Sequence, residues 1–177
     1  DEALRGSEGR LKDSQPTAEK ALREAHDNLE QIVEERTSEL RKSETLFKQA
    51  AQLIGLGYFV WDEVADRCIF ASDGYARILG VSVDEVLTQY NRHETDILLV
   101  HPDDRERVLA TYAELRKRGE KLDVEYRIIR PDGEERHIRE VGDPIVDNQG
   151  NFIQNVGILQ DITESKLIQR TLKRNEA

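Results

Sequence analysis

The chain has 177 residues, a net charge of −10, and charged side chains at 35% of its positions. A mean hydropathy of -0.68 is too polar for one compact domain throughout, so part of the chain should form an exposed helix or tail. The negative charge argues against nucleic acid as a partner, and no apolar run approaches the roughly 20 residues that span a bilayer.

The cysteine and methionine content indicates the kind of protein from which the sequence comes. Cys68 is the single cysteine, which excludes an intramolecular disulfide and favours a reducing compartment. No signal peptide is visible, and the sequence lacks methionine even at position 1. We therefore predict a cytoplasmic chain that is either processed or, the interpretation that we prefer, a piece of a longer protein.

The first long element is a helix predicted over 17–51, where neither glycine nor proline occurs. It follows a segment, 1–16, that contains Gly6, Gly9 and Pro16 and is predicted to be a flexible lead-in. Along the helix, apolar residues recur in alternating steps of four and three, which is typical of a coiled-coil seam. The seam residues are Leu22, Leu29, Val33, Arg36, Leu40, Phe47 and Ala50, with His26 and Ser43 at the two remaining positions.

A stripe of this kind needs a cover along a helix of roughly 50 Å, at 1.5 Å per residue. The same helix of a second copy would supply it, and we expect a parallel homodimer; an unseen upstream domain is the competing partner. Arg36 at a core position would lower stability and restrict register, and its side chain should turn outward or pair with Glu35 or Glu39.

A compact domain is predicted over 52–163, beginning with two short strands joined by a turn. Two short helices follow. The first is capped by Ser72 or Asp73, and the second begins with a capping box formed by Ser82 and Glu85.

A longer helix, HPDDRERVLATYAELRKRG, is opened by Pro102 and ended by Gly119. The residues expected on its buried side are Leu109, Tyr112, Ala113 and Leu115. Three strands in a meander follow, LDVEYRII, EERHIREVGDPIV and NFIQNVGILQDI. This order predicts an α+β domain in which helices pack on one face of an antiparallel sheet.

The last strand passes into a helix, 164–177, with only Asp161, Ile162 and Thr163 between them. Asp161 could be the N-cap with Glu164 reaching back to it, or Thr163 could be the cap. Because no loop would absorb a shift of the strand, we predict that these three residues transfer a signal to the helix.

Several motifs in this domain resemble the PAS domain with its C-terminal PAC segment. They are HPDDRERV, VEYRIIRPDGEERHI, GDPIVDNQGN and GILQDITE, in this order, and they are most similar to the subgroup with HPDD before its long helix. The preceding LEQIVEERTSELRKSE resembles the signalling helices of bacterial sensor histidine kinases and diguanylate cyclases. The resemblance implies a five-stranded antiparallel sheet, often cupping a small-molecule pocket, and signals that pass between the sheet and flanking helices in a parallel dimer.

No catalytic motif is recognisable, because the sequence lacks a Gly-rich phosphate loop, an ATP-binding box, GGDEF and paired cysteines. We therefore expect a non-enzymatic sensor and transmission module of a two-component or related signalling protein, in which 164–177 begins the helix to an output domain. The alternative is a dimerisation adaptor that binds no small molecule.

Cofactor binding is not predicted. Flavin-binding light-oxygen-voltage domains, which this fold resembles, carry NCRFL around a reactive cysteine and a glutamine where this chain has Leu159. NCRFL is missing here, and Cys68 falls in a predicted early strand. His93, which is predicted to lie in a polar loop, His101 and His137 are candidate haem ligands, but none has a second feature of a ligand site. We expect neither flavin, haem nor metal.

A small apolar ligand is the one occupant that the sequence leaves open. The candidate pocket residues are Tyr58, Trp61, Phe70, Tyr75, Ile78, Leu79, Tyr90 and Tyr112. The same residues would equally form an ordinary core, which we favour because dense packing is the default. The carboxylates are all expected on solvated helix faces and turns.

Overall fold

The computed structural model describes the backbone of residues 2–175 and the side chains of residues 17–174. The chain divides into two compact units, Asp1–Gln49 and Ala50–Ala177. The first unit is helical, and the second contains a sheet with its own set of helices.

Helix α1 spans Glu2–Leu53 and ends two residues later than predicted. Its backbone is helical through most of 1–16, the segment that the sequence predicted as a flexible lead-in. Gly6 and Gly9 each cost a helix about 1 kcal/mol relative to alanine, which lowers the helix propensity without ending the helix.

Within the described residues of the second unit, five strands form one antiparallel sheet in the order β2-β1-β5-β4-β3. The strands are β1 (Leu56–Asp62), β2 (Arg67–Ala71), β3 (Leu122–Ile129), β4 (Glu135–Val146) and β5 (Phe152–Asp161). The helices are α2 (Asp73–Leu79), α3 (Val83–Thr88), α4 (His93–Asp96), α5 (Pro102–Arg118) and α6 (Thr163–Asn175), with a 3-10 turn at Ile97–Leu99. The predicted fold class is confirmed.

The short helices α2 and α3 begin at the predicted serines. The Ser72 hydroxyl accepts a hydrogen bond from the Tyr75 N–H at 3.2 Å, and Gly80 ends α2 with a left-handed φ of 75°. At α3, the Ser82 hydroxyl accepts from the Glu85 N–H at 3.2 Å, and the Glu85 carboxylate accepts from the Ser82 N–H at 2.7 Å. These reciprocal bonds are the predicted capping box.

Two glycines bring α2 unusually close to β1. A Cβ at Gly57 would lie 2.4 Å from the Tyr75 Cα, and a Cβ at Gly74 would lie 2.4 Å from the Leu56 carbonyl oxygen. Because only glycine lets the two backbones approach this closely, these positions fix the helix over the sheet. Tyr75 is thereby held above the inner face of β1.

Helix α5 packs on the sheet through a different stripe from the predicted one. Val108 is fully buried, whereas Leu109 keeps 47% of its surface exposed and Ala113 is also exposed. Val108, Tyr112 and Leu115 are spaced by four and three positions, so they share one side of the helix. The predicted stripe was therefore correct for Tyr112 and Leu115 and wrong for Leu109 and Ala113.

A partly buried ion pair ties the start of α5 to β3. The Asp104 carboxylate accepts from the Arg127 backbone N–H at 2.9 Å and from Nε and Nη2 of the same side chain at 3.1 and 2.9 Å. The hydrogen-bonded Arg127 guanidinium holds the pKa of Asp104 at about 2. Ionised Asp104 therefore contributes to the stability of this packing.

The core lies between the inner face of the sheet and the helices. In β3, the residues that alternate toward the helices are buried as predicted: Leu122, Val124, Tyr126 and Ile128. The most completely buried side chains of the whole core are Ile128, Ile138, Leu159, Val86 and Val108. A cavity with polar side chains lies beside this apolar core.

Candidate functional site

A cavity lies between the inner face of the sheet and helices α2, α4 and α5. Its volume is about 50 Å³, measured at the centres of water-sized spheres. Since about 10 to 15 Å³ on this measure holds one water, the cavity has room for a few waters or a molecule of similar size. Its aromatic walls are Phe59, Trp61, Tyr75, Tyr112 and Phe152, and its polar side chains include Glu63, His93, Asp96, Arg116, Glu140 and Asn155.

The structure brings together only part of the predicted pocket. The residues that line the cavity are Tyr75, Tyr112 and Trp61, whereas Ile78, Leu79 and Tyr90 pack in or against the core. The cavity is consequently more polar than the apolar pocket that the sequence suggested.

Tyr58 and Phe70 lie on the opposite face of the sheet, which corrects the prediction for these two residues. Their rings stack there with centroids 5.6 Å apart. Side chains alternate along β1, and the burial of Phe59 and Trp61 turns Tyr58 to the outer face. The register of the β1–β2 pair shifts after Val60, and Phe70 lies opposite that residue.

Glu140 is a carboxylate buried in the cavity wall, with 7% of its surface exposed. Its Oε2 accepts hydrogen bonds from the Tyr112 and Tyr126 hydroxyls at 2.6 and 2.5 Å. Burial raises the pKa of Glu140, and the two phenol hydrogen bonds oppose that shift. The expectation that every carboxylate is solvated is therefore wrong here. Strand alternation was the available signal, because Glu140 shares the inner face of β4 with Ile138.

Asp96 is the second carboxyl at the cavity. It is half-buried at the end of α4, a short helix in a segment that was predicted to be a polar loop. Burial and then the charge of Glu140 raise the pKa of Asp96 to about 7. Among the described residues, no hydrogen bond reaches the Asp96 carboxyl oxygens. Asp96 is thus poised to change its charge near neutral pH.

An ion network forms the rim of the cavity. The Arg116 guanidinium lies 2.6 Å from the Glu63 carboxylate and 2.7 Å from His93 Nε2. Because a guanidinium only donates, His93 Nε2 is the acceptor in this contact. The His93 ring stacks on Trp61 with centroids 4.3 Å apart. His93 is thus part of the cavity, although it was predicted to lie in a polar loop.

The candidate cofactor residues have other contacts in this fold. His93 is engaged at the rim, His101 caps α5 through Nδ1, and His137 lies on the outer face of β4. Burial raises the pKa of the Cys68 thiol to about 12, which suppresses the reactive thiolate. Leu159 is buried in the sheet. The expectation that neither cofactor is bound stays a prediction.

The junction between β5 and α6 is tied to the neighbouring strand β4. The Ile162 N–H donates to the His137 carbonyl at 2.8 Å, and the Thr163 hydroxyl accepts from the His137 N–H at 2.9 Å. Asp161 Oδ1 accepts from the Thr163 N–H at 2.9 Å. The predicted box between Asp161 and Glu164 is not formed among the described residues, because α6 begins at Thr163, which makes Ile162 the N-cap position and places Asp161 one residue before it.

The predicted seam on α1 is exposed in the single chain. The exposed fractions are 73% for Leu22, 60% for Leu29, 55% for Val33, 70% for Leu40 and 54% for Phe47, and Ala50 is exposed as well. Arg36 pairs with Glu39 at 3.0 Å, one of its two predicted partners. This apolar stripe is the second candidate functional surface.

Two further expectations from the sequence concern metal binding and membrane-spanning helices. Within residues 17–174, no group of three or more histidine, cysteine, aspartate or glutamate side chains is arranged to hold a metal. In the same part of the chain, no helix combines the length and apolar character that crossing a membrane requires.

The sheet order and the cavity beneath the helices agree with a match at the level of families. Residues 68–159, just over half of the chain, match the family described as PAS fold. The chain belongs to the PAS fold family. The match covers most of the sheet and the helices that enclose the cavity, and the lining residues Phe59, Trp61 and Glu63 precede it.

The PAS domain is similar to domains of signalling proteins. The sensor protein FixL of Bradyrhizobium diazoefficiens is 28% identical over 123 residues, 69% of this chain and 24% of that protein, so the chain spans about a quarter of its length. A sensory box histidine kinase/response regulator from Burkholderia thailandensis gives a TM-score of 0.60 at 25% identity, covering 73% of this chain and 94% of that one. The N-terminal domain of a diguanylate cyclase with PAS/PAC sensor from Marinobacter aquaeolei gives 0.58 at 19%, covering 63% and 98%.

Proposed function

We propose that the chain is a cytoplasmic sensory and signal-transmission module of a multidomain bacterial signalling protein, such as a sensor histidine kinase. The observation that carries the proposal is the junction, where Ile162 and Thr163 bond directly to His137 on β4. A helix attached to the sheet in this way follows any movement of β4 or β5. The similarity to FixL and to a sensory box histidine kinase supports a receptor context.

The proposed organisation follows the functional segments of the chain. Residues 17–51 form a coiled-coil signalling helix, 52–163 the sensor domain, and 164–177 the start of the helix to an output domain. Parallel pairing of two α1 helices through the apolar stripe would place two sensors side by side and direct both α6 helices to one output. The stripe from Leu22 to Phe47, more than half exposed at five positions, supports this arrangement.

The alternative is an adaptor that dimerises through α1 and whose PAS domain binds no small molecule. The exposed stripe on α1 favours it as much as it favours a sensor, because pairing serves both functions. The polar cavity distinguishes them: an adaptor has no use for the buried charge of Glu140, which costs stability unless something compensates it.

Transmission can be tested without knowing the stimulus, in a chimera that joins α6 to the catalytic part of a histidine kinase. Insertions of one to seven residues after position 170 rotate the following helix by about 100° each. We expect autophosphorylation to vary with helical phase and to recover at seven residues, which complete about two turns. A Gly-Ser pair inserted after Ile162 is the control that should abolish this dependence.

The residues of the junction provide a second arm of the test. Asp161→Ala should weaken the phase dependence in the chimera, while the lost hydrogen bond at the helix start costs only about 1 kcal/mol of folding free energy. Equal autophosphorylation for all insertion lengths would reject transmission through α6 and leave the adaptor.

A further inference from the structure

The charges around the cavity do not balance. At the rim, the Arg116 guanidinium is matched by the Glu63 carboxylate at 2.6 Å. Deeper in the cavity, Glu140 contacts two neutral phenols, and Asp96 has no hydrogen-bond partner among the described residues. Two carboxyl groups thus share one small, aromatic-walled space without a cation of their own.

An unpartnered donor lies beside this space, on one of the side chains that line it. Trp61 is 4% exposed and lines the cavity, and its Nε1–H has no hydrogen-bond partner within the described structure. A buried N–H of this kind normally finds an acceptor, since leaving it unpaired costs about 1 to 3 kcal/mol. The cavity therefore presents acceptors at the two carboxyls and a donor at the indole.

We propose that the cavity binds a small primary amine that carries a hydroxyl group. Its ammonium lies between Asp96 and Glu140, and a small turn of the buried indole lets its hydroxyl oxygen accept from Trp61 Nε1–H. The faces of Tyr75 and Phe59 enclose the short carbon chain and add cation–π attraction. This inference rests on the proposed sensory role and names the ligand class for it.

The size of the cavity restricts the ligand. A volume of about 50 Å³ at the centres of water-sized spheres corresponds to a few waters. An amino alcohol with four heavy atoms is of that size, whereas haem and flavin are many times larger. Ethanolamine is therefore the probe, and its uncharged, anionic and hydroxyl-free analogues are ethylene glycol, glycolate and propylamine.

Binding of an ammonium should depend on pH through the deeper carboxyls. The pKa of Asp96 is about 7, and a cation favours the ionised form, so affinity rises as the pH passes upward through 7. Between pH 6 and 8 the ionised fraction grows about tenfold, and the dissociation constant should fall by about the same factor. The titratable and charged groups facing this site are Glu63, Cys68, Tyr75, His93, Arg116, Tyr112, Tyr126 and Glu140.

The experiment is a titration of the full chain followed by NMR at the indole N–H, which is unambiguous because Trp61 is the single tryptophan. We expect saturable ethanolamine binding with a downfield shift of that signal, and at least tenfold weaker binding of ethylene glycol and glycolate. Propylamine should bind without the downfield shift. Glycolate binding as tightly as ethanolamine, or no saturable binding of either amine, would overturn the proposal.

Two variants test whether ethanolamine binds in this cavity. Glu140→Gln removes the charge but keeps the size, and it should weaken ethanolamine binding at least tenfold while the melting temperature is maintained. Glu106→Gln, at an exposed position of α5 that does not line the cavity, is the matched control and should bind as the wild type does. Unchanged affinity in Glu140→Gln would contradict the assignment. The insertion series in the kinase chimera needs no ligand, so failure of amine binding with phase dependence intact would reject only the ligand class.

Discussion

Helix α1 and the sheet unit use their apolar residues in opposite ways. In the sheet unit, Ile128 and Ile138 are at most 1% exposed, whereas Leu22 and Leu40 on α1 are at least 70% exposed. The sheet unit buries these isoleucines in its own core, whereas the leucines on α1 would be buried only against a second surface. Hydrophobic periodicity thus indicates which side of an element is apolar, but not which surface covers that side.

The most severe way to break this contrast is to charge the stripe on α1. Leu29→Lys combined with Leu40→Lys should convert the proposed dimer to a monomer at micromolar concentration, because four lysines would be forced into the interface. Light scattering measures the mass, and thermal unfolding of the sheet unit should be unchanged. Gln31→Lys with Ser38→Lys adds the same charge on the far side of the helix and should leave the dimer intact. A double seam variant that is still dimeric would move the interface away from α1.

The opposite test removes packing from the sheet unit. Ile138→Ala should lower its free energy of unfolding by about 3 kcal/mol, since it leaves a cavity in the core. Urea unfolding measures the change, and the mass of the assembly should stay the same. Ile145→Ala, on the same strand at 40% exposure, should cost less than about 1 kcal/mol. Equal losses at both positions would mean that the core is less tightly packed than the structure indicates.

The Asp104–Arg127 ion pair should make a smaller contribution to the stability of the sheet unit. Asp104→Asn should destabilise the sheet unit by roughly 1 to 2 kcal/mol at pH 7, because it weakens a charge-assisted pair with Arg127. The folded pKa of about 2 lies below the ordinary value, so this stability is present above about pH 4 and is lost as the pH falls through 2.

Urea unfolding at pH 7 and pH 2 should therefore show a smaller acid effect in Asp104→Asn than in the wild type. Asp84→Asn is the control, since Asp84 is exposed in the first turn of α3 and pairs with no arginine among the described residues. If the two variants lose equal stability, the pair with Arg127 has no special role.

The smallest expected effect concerns the polar position within the stripe. Arg36→Leu should raise the melting temperature of the dimer and add on the order of 1 kcal/mol to its free energy of unfolding, because an apolar side chain replaces a charge at a seam position. In the kinase chimera it should also fix the output in one state. A dimer that becomes less stable would show that Arg36 lies outside the seam.

Features controlled by neighbouring residues were predictable from the sequence. Ser72 and Ser82 with Glu85 cap their helices as expected, because each of these contacts spans three residues. The sheet and its meander followed from alternation, which is equally local.

Features controlled by distant residues were not predictable in the same way. The outward position of Phe70 depends on a register shift between β1 and β2. The burial of Glu140 was readable from its strand face, but its phenol partners come from α5 and β3. The raised pKa of Asp96 likewise arises only in the folded domain, where burial and then the charge of Glu140 act on it. No short window of sequence contains these pairs.

The sheet order has a consequence for how the chain reaches its native state. Strand β5 lies between β1 and β4, so it joins the early β1–β2 hairpin to the later β3–β4 hairpin. Isolated two-stranded hairpins are marginally stable, and pairing of β5 with β1 closes a loop of about 90 residues. During synthesis the two hairpins must therefore wait for the last strand to emerge. The strand that fixes the origin of α6 is also the one that completes the fold, so a ribosome-bound chain has no continuous sheet until the segment leading into α6 has been made.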